Sequence, residues 1–158
     1  MNLRKDNIKL FATDFDGVFT DGKIIVYSDG KTSKSLDYRD IMAVANLLKK
    51  DIIVAIISGE TSYAIDVLKQ KFPQIEIFQN IRNKMEVLQS LLKKYNLTQE
   101  NILYVGDDIN DAECLEFAAI PFTVNNAHSQ IKSIKNINVT LNNGGNGAIR
   151  EIADFLLC

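Results

Sequence analysis

Tryptophan is absent from this 158-residue chain, histidine occurs once, and cysteine and proline occur twice each. Cys114 and Cys158 lie far apart and neither has metal-ligand spacing, so neither a disulfide framework nor a cysteine metal site is indicated; both read as reduced thiols. His128 follows Asn125-Asn126-Ala127 at a predicted helix start, where it reads as a cap or an exposed residue with no catalytic part. Charge of one sign is nowhere concentrated: 18 basic and 20 acidic side chains are spread along the chain for a net charge of -2. That balance argues against a nucleic-acid or membrane partner. No apolar run approaches the ~20 residues that span a bilayer. The start, Met1 to Asp6, lacks the apolar stretch of a secretory signal, so a cytoplasmic protein is expected. Internal repeats, low-complexity tracts and linkers are missing too.

What the chain does have is carboxylate in two tight groups. Asp14, Asp16 and Asp21 stand in the run from Asp14 to Gly22, and a second knot runs from Gly106 through Asp107, Asp108 and Asn110 to Asp111. Each follows a brief apolar run, Ile8 to Ala12 and Ile102 to Val105, with the composition and bounding turn residues of a buried strand. If the two strands are neighbours in one parallel sheet, several negative charges meet at their exits, and like charges that close need a cation between them. A divalent metal site is the simplest inference. Val18 stands where a calcium loop of the EF-hand type needs an oxygen ligand, which excludes that alternative.

A hydrophobic content of 46 % suits one domain over residues 1–158, long enough to bury roughly 70 % of the surface of its unfolded form. Apolar runs at Ile8–Ala12, Ile52–Ile57, Ile75–Phe78, Ile102–Val105 and Ile120–Val124 alternate with helical periodicity. Ile41, Val44, Ala45 and Leu48 share one helix face, and Met85, Leu88, Leu92 and Tyr95 another. The alternation predicts an α/β fold, a Rossmann-like three-layer parallel sheet. One stretch departs from it. Lys23 to Tyr27 and Lys31 to Leu36 flank the turn Ser28-Asp29-Gly30 and predict a β-hairpin flap, spanning about 18–36, over the strand exits. No insertion is long enough for a separate cap domain. The segment Asn142 to Gly147 is the loosest, opens a tail of about 142–158, and precedes a helix over Ala148 to Leu157; its glycines lack dinucleotide-loop spacing.

The residues support phosphoryl transfer. Carboxylates two apart on an extended chain lie on one side of it and can address one reacting group. Asp14 could attack a phosphoryl phosphorus while Asp16 protonates the departing alkoxide and then activates water. A hard cation such as Mg²⁺ is needed between phosphate and carboxylate, with Asp14 and Asp107 as side-chain ligands. Asp108 and Asp111, three apart at a helix opening, can hold the metal's waters or the loop. Ser58 and Gly59, after the strand Ile52–Ile57, supply a hydroxyl and a backbone N–H at a predicted helix start for a phosphoryl oxygen. Lys84 opens a later helix and can offset the charge gathering on Asp14.

In order, Asp14-Phe15-Asp16-Gly17-Val18-Phe19-Thr20-Asp21-Gly22, Ser58, Lys84 and Gly106-Asp107-Asp108 to Asp111 resemble the four motifs of the haloacid dehalogenase (HAD) superfamily. The small size, the flap, the missing cap and the tail Gly144-Gly145-Asn146-Gly147-Ala148-Ile149-Arg150-Glu151 resemble its 3-deoxy-D-manno-octulosonate 8-phosphate phosphatase family, over nearly the whole chain. The resemblance implies a Mg²⁺-dependent homotetramer in which a neighbouring subunit closes the site, a metal ligand in the Asp16 backbone carbonyl, and a substrate contact from Arg150. Glu60 stands where the octulosonate enzymes usually carry arginine, and Lys71 lies eleven residues on. That pair resembles the branch acting on 2-keto-3-deoxynonulosonate 9-phosphate (KDN 9-phosphate), a relative of sialic acid synthesis. On one helix the two would stand roughly 16 Å apart, too far to grip one small group, so one of them is expected to serve a site across a subunit interface. Asn83 and Ile41 replace the aspartate and glycine common at their positions.

The reading is a phosphatase of a phosphorylated 2-keto-3-deoxy sugar acid. Two rivals belong to other classes. A non-catalytic assembly module, of the kind attached to acylneuraminate cytidylyltransferases, has no use for the full set Asp14, Asp16, Lys84 and Asp107. A receiver-like phosphoaccepting switch has no use for Asp16, whose acid/base role gives turnover rather than a lasting phosphoryl mark.

Overall fold

The computed structural model describes residues 5–158; residues 1–4, which open the segment read above as lacking a signal, lie outside the described residues. Among the described residues eight strands form: β1 (Leu10–Thr13), β2 (Ile25–Val26), β3 (Thr32–Ser33), β4 (Ile53–Ile57), β5 (Glu76–Phe78), β6 (Ile102–Val105), β7 (Ile120–Thr123) and β8 (Asn138–Val139). Six of them make one parallel sheet in the order β5-β4-β1-β6-β7-β8, and β2 and β3 pair antiparallel as a separate hairpin. The predicted α/β three-layer sheet, the absence of a cap domain and the flap after the first strand all hold. The short strand β8 has no counterpart in the sequence reading, because two residues led by Asn138 carry no apolar alternation.

Alternation along the strands builds two cores. Phe11, Val54, Ile56, Leu103 and Val105 face one side, where they meet helices α1 (Tyr38–Leu48), α2 (Tyr63–Lys71) and α6 (Ala148–Leu157). Leu10, Ala12, Ala55, Ile57, Ile102 and Tyr104 face the other, against α3 (Lys84–Tyr95), α4 (Ala112–Phe117) and α5 (Ser129–Lys132). Both faces of the sheet are thus dry, as parallel strands require. The helix faces sit slightly rotated from expectation. Ala43, Val44 and Leu47 are the buried apolar residues of α1 while Ile41, Ala45 and Leu48 pack at its margin, and Leu91 rather than Leu92 or Tyr95 is buried in α3. Truncating Leu47 would cost about 2–5 kcal/mol.

Asp40 ties α1 to the tail. Its buried carboxylate accepts from the Gly147 and Arg150 backbone N–H groups at 3.1 and 2.9 Å, capping α6 from a neighbouring helix. Ile41, beside it, lies half-buried against the core. Glu151 in turn accepts from the backbone of Leu141 and Asn142, at 2.8 and 3.0 Å, and so fixes the entry to the tail. His128 caps α5, its Nδ1 accepting from the Gln130 N–H, as read from the sequence. Cys114 is buried and Cys158 exposed, and both are free thiols.

Candidate active site

β1 sits between β4 and β6, where strand order reverses, and ligands of open α/β sheets bind at the carboxyl ends of strands at such a point. Thr13 is level with both Ile56 and Val105, so Asp14, Ser58 and Asp107 leave neighbouring strands at nearly the same height. Asp14 is still in the ladder, its N–H bonded to the Val105 carbonyl at 2.9 Å. Together with Asp16, Gly17, Gly22, Gly59, Glu60, Asp108 and Asn110 they line a pocket of about 290 Å³.

Lys84, at the first turn of α3 and almost fully buried, lies 2.9 Å from Asp14 Oδ1 and 2.8 Å from Asp111 Oδ1. Asn83 caps that helix, its Oδ1 accepting from the Glu86 N–H and its amide donating to the Glu86 carboxylate, so the local geometry survives the loss of the usual aspartate. Asp111 is saturated: Tyr104 Oη also donates to Oδ1 at 2.9 Å, and the N–H groups of Asp107 and Asp108 approach Oδ2 at 3.2 and 3.4 Å. It therefore holds the loop. Asp108 is exposed and caps the short turn Ile109–Asp111.

Asp107 is the unbalanced member. Its Oδ1 is buried with no hydrogen-bond partner among the described residues, although carboxylate oxygens at such depth ordinarily have one. Burial, with Asp14, Asp111 and Asp108 adding to it, pushes its carboxyl up to about 8. Burial and then Asp111 push Asp14 up to about 7 against the pull of Lys84. Burial works against the Lys84 charge, yet Asp111 and Asp14 hold its pKa above the ordinary lysine value. Oxygens of Asp14, Asp107 and Asp111 come within 4.8 Å of one another. One ammonium faces three carboxylates, and the donors are hard oxygens, so the set fits a hard divalent cation such as Mg²⁺. With Asp111 engaged elsewhere, Asp14 and Asp107 are the side chains that could hold it.

The glycines beside the acids are structural. Gly17 has φ +84°, and a Cβ there would fall 1.9 Å from Asp107 Oδ2. The Gly145 N–H donates to the Val18 carbonyl at 2.9 Å, so the tail props the loop that carries Asp16 and Gly17.

Two expectations need correction. Ser58 and Gly59 do not open a helix: α2 begins only at Tyr63, because the Ile81 N–H bonds back to the Ser58 carbonyl at 3.0 Å and the Ser62 N–H to Gln79 at 2.7 Å. Ser58 is nonetheless buried at the pocket wall, where its Oγ accepts from the Glu60 N–H at 3.2 Å. Glu60 and Lys71 do not share a helix either. Glu60 lines the pocket ahead of α2, whereas Lys71 ends α2 with its ammonium 5.9 Å from the Phe72 ring. Within its own chain Arg150 is engaged along α6, its Nε donating to both oxygens of Asp154 at 2.8 and 2.9 Å.

Three further residues gave no sequence signal: Tyr104, whose hydroxyl hides in an apolar strand; Asn110, one polar loop residue among several; and Lys34. The last, from the end of the flap, lies 2.6 Å from Asp16 Oδ1 with its side chain 14 % exposed. Lys34 also lines a groove of about 430 Å³ between flap and α2, with Thr32, Ser33, Thr61, Ser62 and Tyr63.

A parallel sheet with carboxylates at the exits of β1 and β6, a buried lysine from α3 and a hydroxyl after β4 defines a class, and the chain belongs to the haloacid dehalogenase-like hydrolases, whose family pattern matches residues 12–152. Its relatives narrow this to the cap-less octulosonate phosphatase group, and the chain is a phosphoric monoester hydrolase. The 3-deoxy-D-manno-octulosonate 8-phosphate phosphatase KdsC of Escherichia coli (strain K12) is 33 % identical over 154 residues, covering 98 % of this chain and 81 % of the relative. That of Haemophilus influenzae is 32 % identical over 160 residues, covering 99 % and 87 %. The crystal structure of the Moraxella catarrhalis phosphatase in complex with a magnesium ion, a phosphate ion and a KDO molecule superposes with a TM-score of 0.91 at 33 % identity, over 97 % of this chain and 87 % of that one. A cobalt-bound Haemophilus influenzae structure gives 0.89 at 31 %, over 97 % and 89 %.

Proposed function

We propose that this hydrolase is a Mg²⁺-dependent phosphatase of a phosphorylated 2-keto-3-deoxy sugar acid, acting through an aspartyl phosphate on Asp14. The observation that carries the reading is the Asp14–Lys84 pair beside the orphaned Asp107 oxygen, in a pocket open to a ligand. Both bonds that this chain gives the Asp14 carboxylate, from Lys84 at 2.9 Å and from the Phe15 N–H at 2.7 Å, fall on Oδ1 and fix its orientation. Asp14 attacks phosphorus in line, and Asp16 protonates the departing alkoxide, then takes a proton from the water that cleaves the acyl phosphate. Lys84 and Ser58 offset and orient the phosphoryl oxygens. Asp14, Asp107 and the Asp16 carbonyl would hold Mg²⁺, which when bound would supply charge neutralisation between phosphate and carboxylate.

The relatives' substrate, 3-deoxy-D-manno-octulosonate 8-phosphate, is the first candidate. Glu60 favours a second, a nonulosonate 9-phosphate such as that of KDN or an N-acylneuraminate: its carboxylate lines the pocket where it accepts hydrogen bonds from hydroxyls and disfavours acids. We further propose a homotetramer whose neighbouring subunit completes the site. Ile24, Ile25, Val26 and Tyr27 are an apolar stretch of the flap, each more than half exposed, a surface that association would cover. Lys71 and Arg150, remote from the pocket of their own chain, are then available to a neighbour's.

The test is phosphate release from the eight- and nine-carbon acid phosphates, with and without Mg²⁺, for wild type and Asp14→Asn. Turnover of one of them that needs the metal and vanishes in the variant is expected. Equal, feeble turnover of every sugar phosphate would remove the substrate assignment. A monomer in sedimentation with full activity would remove the shared site.

A further inference from the structure

We propose that Lys34 is a positioning residue for Asp16, and that through it the acid/base half of the reaction depends on the flap being seated; this rests on the general acid/base reading of Asp16 above. Asp16 stands on a loop and its side chain is 30 % exposed, so nothing in its packing alone fixes the carboxylate. Among the described residues, the one hydrogen bond to that carboxylate comes from Lys34, at 2.6 Å on Oδ1. Among the described residues Lys34 bonds to no other group, and its ammonium rests 5.9 Å from the ring of Phe15, the residue between the two acids. Proton transfer requires the carboxyl within hydrogen-bond reach of the ester oxygen, and groups that do chemistry must be held to about 0.5 Å by neighbours.

The bond chooses between the two oxygens. With Oδ1 held by the ammonium, Oδ2 is left to give its proton to the alkoxide and later to take one from water, and the ammonium can donate to Oδ1 in either state of Oδ2. Lys34 follows β3 directly and reaches back across 18 residues. A flap lifted from the strand exits takes the ammonium with it and leaves Asp16 free to swing. The same lysine lines the groove along α2, and through its bond to Asp16 it joins that groove to the catalytic pocket, which Asp16 lines.

Leaving-group dependence tests this. An aryl ester, p-nitrophenyl phosphate, departs without a proton, whereas the faster of the two sugar-acid phosphates, an alkyl ester, needs one. Since kcat/KM reports the steps up to departure of the alcohol, Lys34→Met should lower it by about 10–100-fold for the alkyl ester and by less than about threefold for the aryl ester. Lys34→Arg should recover most of the loss. Because Lys34 acts through Asp16, the double variant Lys34→Met/Asp16→Asn should lose no more than Asp16→Asn alone. Equal losses on both esters, no loss on either, or additive losses in the double variant would overturn the proposal while Asp16→Asn keeps its leaving-group dependence. If Asp16→Asn itself shows none, the acid/base reading falls and this inference with it.

Discussion

Replacing Gly144 by alanine should damage a site that Gly144 does not line. A Cβ at this position would fall 1.7 Å from the Gly17 carbonyl oxygen and 2.6 Å from its carbon. Ordinary contacts sit near about 3.5 Å, so the two backbones must part by about 2 Å. Neither side yields freely: Gly17 is pressed against Asp107, and the Gly144 N–H is held by Asn126 Oδ1 at 3.0 Å. Overpacking of this kind costs about 1–3 kcal/mol, or a fall in Tm of roughly 2–12 °C for a domain this size. Displacing reacting groups by about 1 Å can cost on the order of 100-fold, and Gly17 adjoins Asp16. The expected result is a folded variant with kcat/KM down by about 100-fold, measured by phosphate release beside a thermal melt. Wild-type kcat/KM in the variant would refute the idea that the tail sets the loop.

Lys84→Met strands the buried Asp14 and Asp111 carboxylates without their cation, so it should abolish phosphate release and cost about 3–5 kcal/mol, read from urea unfolding; an unchanged midpoint would contradict the pairing. Burial pushes the Asp40 carboxyl from its ordinary 3.8 up to about 6, against the two backbone N–H groups that favour its charge. A raised folded pKa binds the proton more tightly than the unfolded chain does, so the stability it contributes is present below pH about 4 and is lost as pH rises through about 6, at most about 3 kcal/mol. Subtracting the profile of Asp40→Asn from wild type should isolate that slope, and parallel profiles would deny it. Burial pushes the Cys114 thiol up to about 12, so iodoacetamide at neutral pH should add one adduct to the folded protein, on exposed Cys158; two adducts seen by intact mass would show Cys114 open.

Much of the sheet was legible because parallel strands buried on both faces read as unbroken apolar runs, and Ile102–Val105 is such a run to the residue. Strand exits then locate the acids, and Asp14, Asp16, Ser58, Asp107 and Glu60 do converge on one pocket. Periodicity marks a helix better than it marks the face, since residues outside the expected stripe, such as Leu47 and Leu91, can be buried. The irregular stretch from Gly59 to Ser62 was misread as helix because its conformation is set by bonds from Gln79 and Ile81, which no local pattern announces. Lys34 escaped notice for the same reason: a lysine on a flap becomes a partner of Asp16 only once the hairpin folds back.

The contact between the Gly144–Gly145 backbone and the loop from Gly17 to Asp21 also dictates an order of events during synthesis. Asp14 emerges from the ribosome early, yet its loop stays without its brace until a segment more than 120 residues downstream has been made and docked. A nascent chain can assemble β1, β4 and β6 and still be inert, so competence arrives as a late step.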